Sequence, residues 1–364
     1  MNKLVALILL LQNSSSVSDN LQANQNNNIT RPTSNRISGP LRKSPLENFQ
    51  MRYVLDSDFH FTFYNKDHPK GIEMLKDEHY KNILPQVFPD KPVRFITHGW
   101  KASCKAGFCT ELRDEYLKNE DNQVIIAEWE SLSNEIEYFE IVEQTGEFAV
   151  IFSKALTPVV EKVHGENVQI IALGVGAHLC GIAAELITNT TKMKIGRITG
   201  LDPSWRSFEI PIYGLQKSQA TFVDIIHTTA GSSGIPEPRG HVDFYPNGGI
   251  VPQPGCRRRF MRFALDKCSH NLSWGWFKNT INSQPKNYKM GYRCTSGKIL
   301  NIFYCNFNDV TPFGQMTPAS ARGVYYLEIK KWPFPSNRKE FNKNETKKIE
   351  VQSRIKELRF FLCL

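Results

Sequence analysis

Short apolar segments alternate with longer helical patterns along most of this 364-residue chain, and this alternation constrains the fold most strongly. The segments are rich in β-branched and other apolar residues and lie at 93–97, 123–127, 168–173 and 197–201. Helical patterns separate them, notably at 138–163 and 177–188. Buried strands separated by helices are typical of parallel βαβ units. The sequence therefore predicts an α/β fold with a largely parallel central sheet flanked by helices.

The first 49 residues differ in character from the rest. Residues 1–18 have a lysine near the start, an unbroken apolar stretch and small polar residues, which is the layout of a signal peptide. A buried N-terminal strand or helix is the alternative interpretation. Residues 19–49 are rich in Asn, Gln, Ser and Pro without a hydrophobic period, which predicts a disordered leader. We therefore expect a secreted, extracellular protein, whose eight cysteines meet oxidising conditions.

In a secreted protein, Asn-x-Ser/Thr triplets are candidate glycosylation sites. We expect sugars at three of them, which begin at Asn28, Asn189 and Asn344. A further triplet begins at Asn271. Because such triplets occur often by chance, their presence alone does not establish glycosylation.

The remainder of the chain divides into one domain and a tail. No internal repeat or compositional break interrupts residues 50–335, so we expect a single α/β domain there. The net charge is +9, and the excess is concentrated near the end: residues 330–364 hold ten Lys and Arg against four Asp and Glu. In the tail, 336–364, apolar residues recur at helical spacing, which predicts a basic amphipathic helix: Val351, Ile355, Leu358 and Leu362.

Charge and hydrophobicity also limit the partners. The positive excess permits an acidic partner without requiring one, and we expect no nucleic acid. No apolar run reaches the ~20 residues of a membrane span, so we expect no transmembrane segment. No group of Cys and His residues has ligand spacing, so we expect neither a metal nor a cofactor.

Candidate chemistry lies directly after predicted strands, where an open α/β sheet places its site. Trp100, Gly174 and Asp202 each lie within three residues of the end of such a strand, and His270 follows later, beside a cysteine. Singly, each residue has a structural interpretation; an aspartate at a strand end, for example, commonly caps a turn. Together, a tight strand-to-helix turn followed by an acid and then a histidine gives the chain order of α/β-hydrolases.

With these motifs the chain resembles the pancreatic-lipase family, in its branch of insect lipases and phospholipases A1, from about Asp56 to Trp332. The stretches that carry the resemblance are FITHGW, VIIAEW, VGAHLCGIAAE, ITGLDPS, DIIHTTAGSSG, GHVDFYPNGGIVPQPGC, CSHNLSWGWF and SARGVYYL. The resemblance implies the α/β-hydrolase fold and a Ser–Asp–His triad. Asp202 and His270 match its acid and histidine, whereas Gly174 stands where the family has the nucleophilic serine. Backbone amides of Trp100 and Val175 match the oxyanion-hole donors.

Glycine at residue 174 offers no oxygen for His270 to deprotonate, so no acyl-enzyme can form there. We therefore expect an inactive homologue that keeps a lipid- or acyl-binding cleft for storage, carriage or surface binding, by analogy with the fly yolk proteins. The alternative is an active lipase or phospholipase A1 with another nucleophile. We do not expect Cys180 or Ser103 to serve as that nucleophile.

The resemblance also implies a lid between Cys256 and Cys268. The lid interleaves arginine with apolar residues: Arg257, Arg258, Arg259, Phe260, Met261, Arg262 and Phe263. It is interpreted either as a flap that contacts an anionic lipid or heparin-like glycan surface, or as a solvated loop that covers the pocket. A polyanion-binding protein that uses this lid and the tail is a third functional hypothesis.

The other cysteines give further expectations. Cys294 and Cys305 match a disulfide of the family, and Cys104 and Cys109 could close a small loop. Cys180 and Cys363 remain, either paired or free.

Overall fold

The computed structural model describes residues 56–105, 107–210, 214–256, 261–296, 302–330 and 346–350. The expected signal peptide and leader lie outside the described residues. So do Asn28, Asn344, Cys363, the first four lid residues Arg257–Phe260, and the residues at helical spacing in the tail.

Twelve strands in the described ranges form one sheet. They are β1 (His60–Tyr64), β2 (Ile72–Glu73), β3 (Val93–Thr97), β4 (Gln123–Glu128), β5 (Val168–Leu173), β6 (Arg197–Leu201), β7 (Phe222–Ile226), β8 (Val242–Pro246), β9 (Met290–Ser296), β10 (Ile302–Pro312), β11 (Gly323–Leu327) and β12 (Thr346–Glu350). Their order across the sheet is β12-β10-β9-β11-β8-β7-β6-β5-β3-β4-β1-β2. The strands from β11 to β4 in this order run parallel, and the outer pairs at both edges are antiparallel.

Helices connect the parallel strands. The α-helices of the described residues are α1 (Phe108–Leu117), α2 (Glu130–Glu135), α3 (Tyr138–Glu143), α4 (Thr145–Val163), α5 (Val175–Thr191) and α6 (Arg262–Lys278). Short 3₁₀ turns lie at Asp56–Asp58, Lys76–Glu78, Leu84–Gln86, Gly165–Asn167, Lys217–Gln219, Asn247–Gly249 and Pro285–Asn287. The predicted α/β-hydrolase architecture, a largely parallel sheet flanked by helices, is confirmed. None of the helices in the described ranges has the length and apolarity of a membrane span.

Both faces of the central strands are buried, because successive residues of a strand point to opposite faces. Phe95 and Ile170 belong to the cluster that includes α4 and α5, whereas the next residue of each strand, Ile96 or Ile171, belongs to the cluster that includes Trp276 of α6. This two-sided burial explains why the central strands read as near-continuous apolar runs.

One helix differs from the prediction. The single helix expected at 138–163 is broken at Gln144, because the Thr145 hydroxyl donates to the Ile141 and Val142 carbonyl oxygens, at 3.1 and 2.7 Å, and competes there with the backbone ladder. Within the tail, Thr346–Glu350 is a strand that pairs antiparallel with β10, and the residues at helical spacing lie after this strand, outside the described ranges. Strand β10 would otherwise present unpaired backbone groups at the edge of the sheet.

Three disulfides join the cysteine pairs that the sequence analysis expected: Cys104–Cys109, Cys256–Cys268 and Cys294–Cys305. Cys180 is a free thiol, buried in helix α5.

Candidate functional site

Four adjacent parallel strands bring the candidate residues to one edge of the sheet. Strands β3, β5, β6 and β7 are neighbours, so their carboxyl ends lie side by side. The residues that follow these ends are His98, Gly174, Asp202 and His227. The fold therefore places the strand-end motifs in one site.

Gly174 forms the tight turn between β5 and helix α5. Its backbone has φ 58° and ψ −124°, and its N–H donates to the Leu201 carbonyl at 3.0 Å. A positive φ of this kind is adopted almost freely by glycine and is strained for other residues. A Cβ at this position would lie 3.2 Å from His270 Nε2 and 3.4 Å from Ser204 Oγ. Residue 174 thus faces the histidine directly.

His270 and Asp202 form a hydrogen-bonded pair. His270 lies on helix α6, and its Nδ1 is 2.7 Å from Asp202 Oδ2. The aspartate is fully buried, whereas the imidazole is partly exposed. This arrangement leaves Nε2 facing Gly174 and the solvent side of the site.

The Asp202 carboxylate is held by several donors. Its Oδ1 accepts the backbone N–H groups of Thr228 and Thr229 at 2.7 and 2.9 Å, and its Oδ2 accepts the Thr229 hydroxyl at 2.5 Å. Burial alone would raise the pKa of this carboxyl, but the hydrogen bonds and the charge of His270 outweigh burial and hold the pKa below its usual value. The carboxyl is therefore ionised at neutral pH and accepts from Nδ1–H.

The loop after β3 lies against the Gly174 turn with almost no space between the two backbones. A Cβ on Gly99 would lie 2.8 Å from the Leu173 carbonyl oxygen, and one on Gly176 would lie 2.3 Å from the His98 carbonyl oxygen. Trp100 follows Gly99 in this loop, and Val175 is the first residue of α5. Their amides are the two that the sequence analysis proposed as donors.

His178 is a site residue to which the sequence analysis gave no role. Its Nε2 is 2.7 Å from the Ser204 carbonyl oxygen, and its Nδ1 accepts the Leu215 N–H at 2.9 Å. Its ring stacks on Phe208 with centroids 3.9 Å apart. This neutral imidazole fixes the segment that carries Ser204 against helix α5. The signal available in the sequence was only its place within VGAHLCG.

The stability of this arrangement is expected to depend on pH. Burial lowers the pKa of His178 to about 3, whereas an unfolded histidine titrates near 6.5. The unfolded state therefore binds more protons between these values, so the free energy of unfolding falls as the pH drops below about 6.5. The loss expected by about pH 4 is on the order of 3 kcal/mol.

Denaturant unfolding of His178→Gln tests this expectation. The variant should be less stable than wild type near neutral pH but should lose less stability on acidification. The matched control is His60→Gln, at an exposed histidine, and it should keep the wild-type pH dependence. Identical slopes for wild type and His178→Gln would contradict the assignment.

Three segments that carry or contact site residues also bear exposed apolar side chains. Met261 and Phe263, the described apolar residues of the lid, are exposed at the start of α6, which also carries His270. Phe139 is exposed on α3, and its neighbour Tyr138 packs edge-on against Trp100. Ile210, exposed as well, lies two residues after Phe208, whose ring stacks on His178. The second half of the predicted lid, from Arg262, is helical rather than a loop.

The other candidates lie elsewhere or are engaged. The Ser103 hydroxyl donates to Glu128 at 3.1 Å, and burial raises the pKa of the Cys180 thiol. Ligand atoms of His98, Cys104 and Glu128 cluster within 4.8 Å, but Cys104 is bound in a disulfide, which leaves only two of them free to hold a metal.

The two Asn-x-Ser/Thr triplets within the described ranges lie on helices. Asn189 is exposed near the end of α5, whereas Asn271 is partly buried on α6, directly after His270. Exposure agrees with the expected sugar at Asn189, which stays a prediction.

Comparison with known proteins gives consistent matches. A protein-family model described as Lipase matches residues 25–313. Pancreatic lipase-related protein 2 of Bos taurus is 30% identical over 266 residues, which cover 66% of this chain and 55% of the relative. Lipase member H of Oryctolagus cuniculus is 30% identical over 223 residues, which cover 58% of this chain and 48% of the relative. Lipase member H of Rattus norvegicus is 32% identical over 188 residues, which cover 50% of this chain and 41% of the relative. The chain spans about half the length of these curated relatives.

Proposed function

Because the chain belongs to the lipase family, we propose that it is a secreted homologue of carboxylic-ester hydrolases that has lost hydrolysis and keeps an acyl-binding cleft. In this proposal Gly174 occupies the position of the nucleophilic serine. The protein then serves lipid storage, carriage or attachment to a lipid surface. The predicted signal peptide and the three disulfides support secretion.

The observation that carries the proposal is the direction in which a side chain at residue 174 would point. A side chain there would point at His270 Nε2 from 3.2 Å, as the nucleophile of a Ser-His-Asp triad must. Glycine supplies no oxygen at this point, so the Asp202–His270 pair has no hydroxyl of residue 174 to activate. Loss of a triad nucleophile lowers kcat by roughly 10⁶ in other enzymes of this type.

The exposed apolar rim supports contact with lipid. Met261, Phe263, Phe139 and Ile210 are exposed on segments that carry or contact residues of the site. Apolar side chains at such a mouth are suited to acyl chains or to a lipid surface. Arg262, next to them on α6, adds a cation that suits an anionic headgroup.

Hydrolysis of a short-chain nitrophenyl ester and of phospholipid vesicles by the purified protein tests the loss of activity. Wild type and His270→Ala are expected to give equal rates, because neither has a complete triad. A wild-type rate at least about 100-fold above that of His270→Ala would overturn the proposal in favour of an active ester hydrolase. The intact Asp202–His270 pair is the observation that supports this second candidate.

A further inference from the structure

We propose that the site in front of Gly174 binds the carboxyl group of a free fatty acid in preference to the corresponding ester. This inference rests on the proposed loss of hydrolysis and on the proposed acyl-binding cleft, and it adds the chemical class of the ligand. It starts from the groups that surround the position of a Gly174 Cβ.

Hydrogen-bonding groups converge on this position. His270 Nε2 lies 3.2 Å away and Ser204 Oγ lies 3.4 Å away. On the opposite side, Gly174 is the N-terminal cap of the seventeen-residue helix α5, whose first N–H groups have no carbonyl partner within the helix. One carboxyl oxygen placed here meets Nε2, and the other points towards the amides of Val175 and Trp100. A serine would occupy this space with its own side chain.

The location of the proton favours an acid over an ester. Asp202 accepts from Nδ1–H, so Nε2 is the nitrogen that faces the ligand, and it presents a lone pair whenever the ring is uncharged. An ester oxygen also presents only lone pairs and repels Nε2. At neutral pH the ligand is a carboxylate, so the proton on Nε2 comes from water, and the two groups form an imidazolium–carboxylate pair. An ester has no negative charge to stabilise this imidazolium, whereas the hydrogen bond to the carboxylate is charge-assisted.

The surrounding charges have both signs. Asp202 accepts four hydrogen bonds, and Asp266, one turn before His270 on α6, accepts from the Ser233 hydroxyl. Tyr138, whose hydroxyl shares a hydrogen bond with that of Ser204, also lies beside the site, where the charges of Glu209 and Arg206 act on its pKa in opposite directions. On the Trp100 side, the Lys101 ammonium lies 4.3 Å from the centre of the indole ring and adds positive potential.

Equilibrium dialysis with octanoic acid and methyl octanoate, each below its solubility limit at neutral pH, tests the inference. Wild type is expected to bind the acid at least about tenfold more tightly than the ester, as one charge-assisted hydrogen bond implies. Gly174→Ala puts a methyl group where the oxygen would lie, and His270→Ala removes Nε2. In both variants the preference should fall below about threefold, with ester binding unchanged within that factor.

Gly107→Ala is the matched control, because Gly107 also has a positive φ, 75°, but no atom lies within 4 Å of its Cβ position. This control should keep the wild-type preference. Equal affinity for acid and ester, or a preference that survives both Gly174→Ala and His270→Ala, would overturn the inference and leave the proposed function standing. Release of octanoate and methanol from the ester by wild type would overturn the proposed function itself.

Discussion

Replacement of Gly174 by serine is expected to switch on ester hydrolysis, raising kcat/KM for a short-chain ester by at least about 10³-fold over wild type. The Asp202–His270 pair is in place, with its hydrogen bond at 2.7 Å. A Cβ at residue 174 already faces Nε2, and its 3.2 Å contact requires the partly exposed imidazole to move by only a few tenths of an ångström. The gain is smaller than the roughly 10⁶-fold effect of a nucleophile in an evolved enzyme, because the cleft has not been selected for turnover.

Two variants distinguish the effect of the serine hydroxyl on the rate from the effect of the added Cβ. Gly174→Ala carries the same Cβ and the same backbone strain, on the order of 1–3 kcal/mol, but no nucleophile, and it should remain inactive. In Gly174→Ser combined with His270→Ala, the rate should return to the wild-type level, because the hydroxyl then lacks its base. A folded Gly174→Ser protein that hydrolyses no ester would show that the donors for the oxyanion are no longer aligned.

The substitution Gly176→Ala is expected to destabilise the protein by at least about 3 kcal/mol, or to prevent folding. Its Cβ would lie 2.3 Å from the His98 carbonyl oxygen, which is backbone and cannot rotate away. Helix propensity alone would predict the opposite sign, since alanine is better than glycine by about 1 kcal/mol in a helix interior. The sign of the change therefore decides between close backbone packing and local propensity, and denaturant unfolding measures it.

Gly107→Ala again provides the reference for this measurement. It introduces a side chain at positive φ in open space, so its cost should be limited to the backbone strain, about 1–3 kcal/mol as at Gly174. A Gly176→Ala protein as stable as wild type would mean that the loop after β3 and the start of α5 are able to separate.

The central strands could be predicted almost to the residue, because both faces of each are buried and their apolar runs are continuous. Strands β3 and β5 coincide with the segments 93–97 and 168–173, for example. The break at Gln144 could not be predicted, because it depends on which carbonyls the Thr145 hydroxyl captures. The hydrophobic period continues across this break, so the sequence pattern does not indicate that the helix ends there.

For the site, strand ends that share one edge of a parallel sheet were enough to bring Gly174 and Asp202 together, whereas His270, which lies on helix α6, was assigned from chain order and the family resemblance. The residues that hold Asp202 were not identified, although Thr228 and Thr229 follow the neighbouring strand β7. Two of their three hydrogen bonds to Asp202 come from backbone N–H groups, which every residue except proline has, so the side-chain pattern does not predict them. The role of His178 likewise depends on a segment that folds back over α5, a tertiary contact without local signature.

The bonding of Asp202 also bears on how a chain of this kind can evolve. An apolar residue at this position would leave two buried backbone donors, on Thr228 and Thr229, without an acceptor, at about 1–3 kcal/mol for each. Drift at Asp202 is therefore opposed by folding, whatever happens to catalysis. Serine at residue 174 has no such protection, since glycine relieves strain there. A lineage released from selection for hydrolysis is expected to lose its nucleophile first and to keep its acid longest.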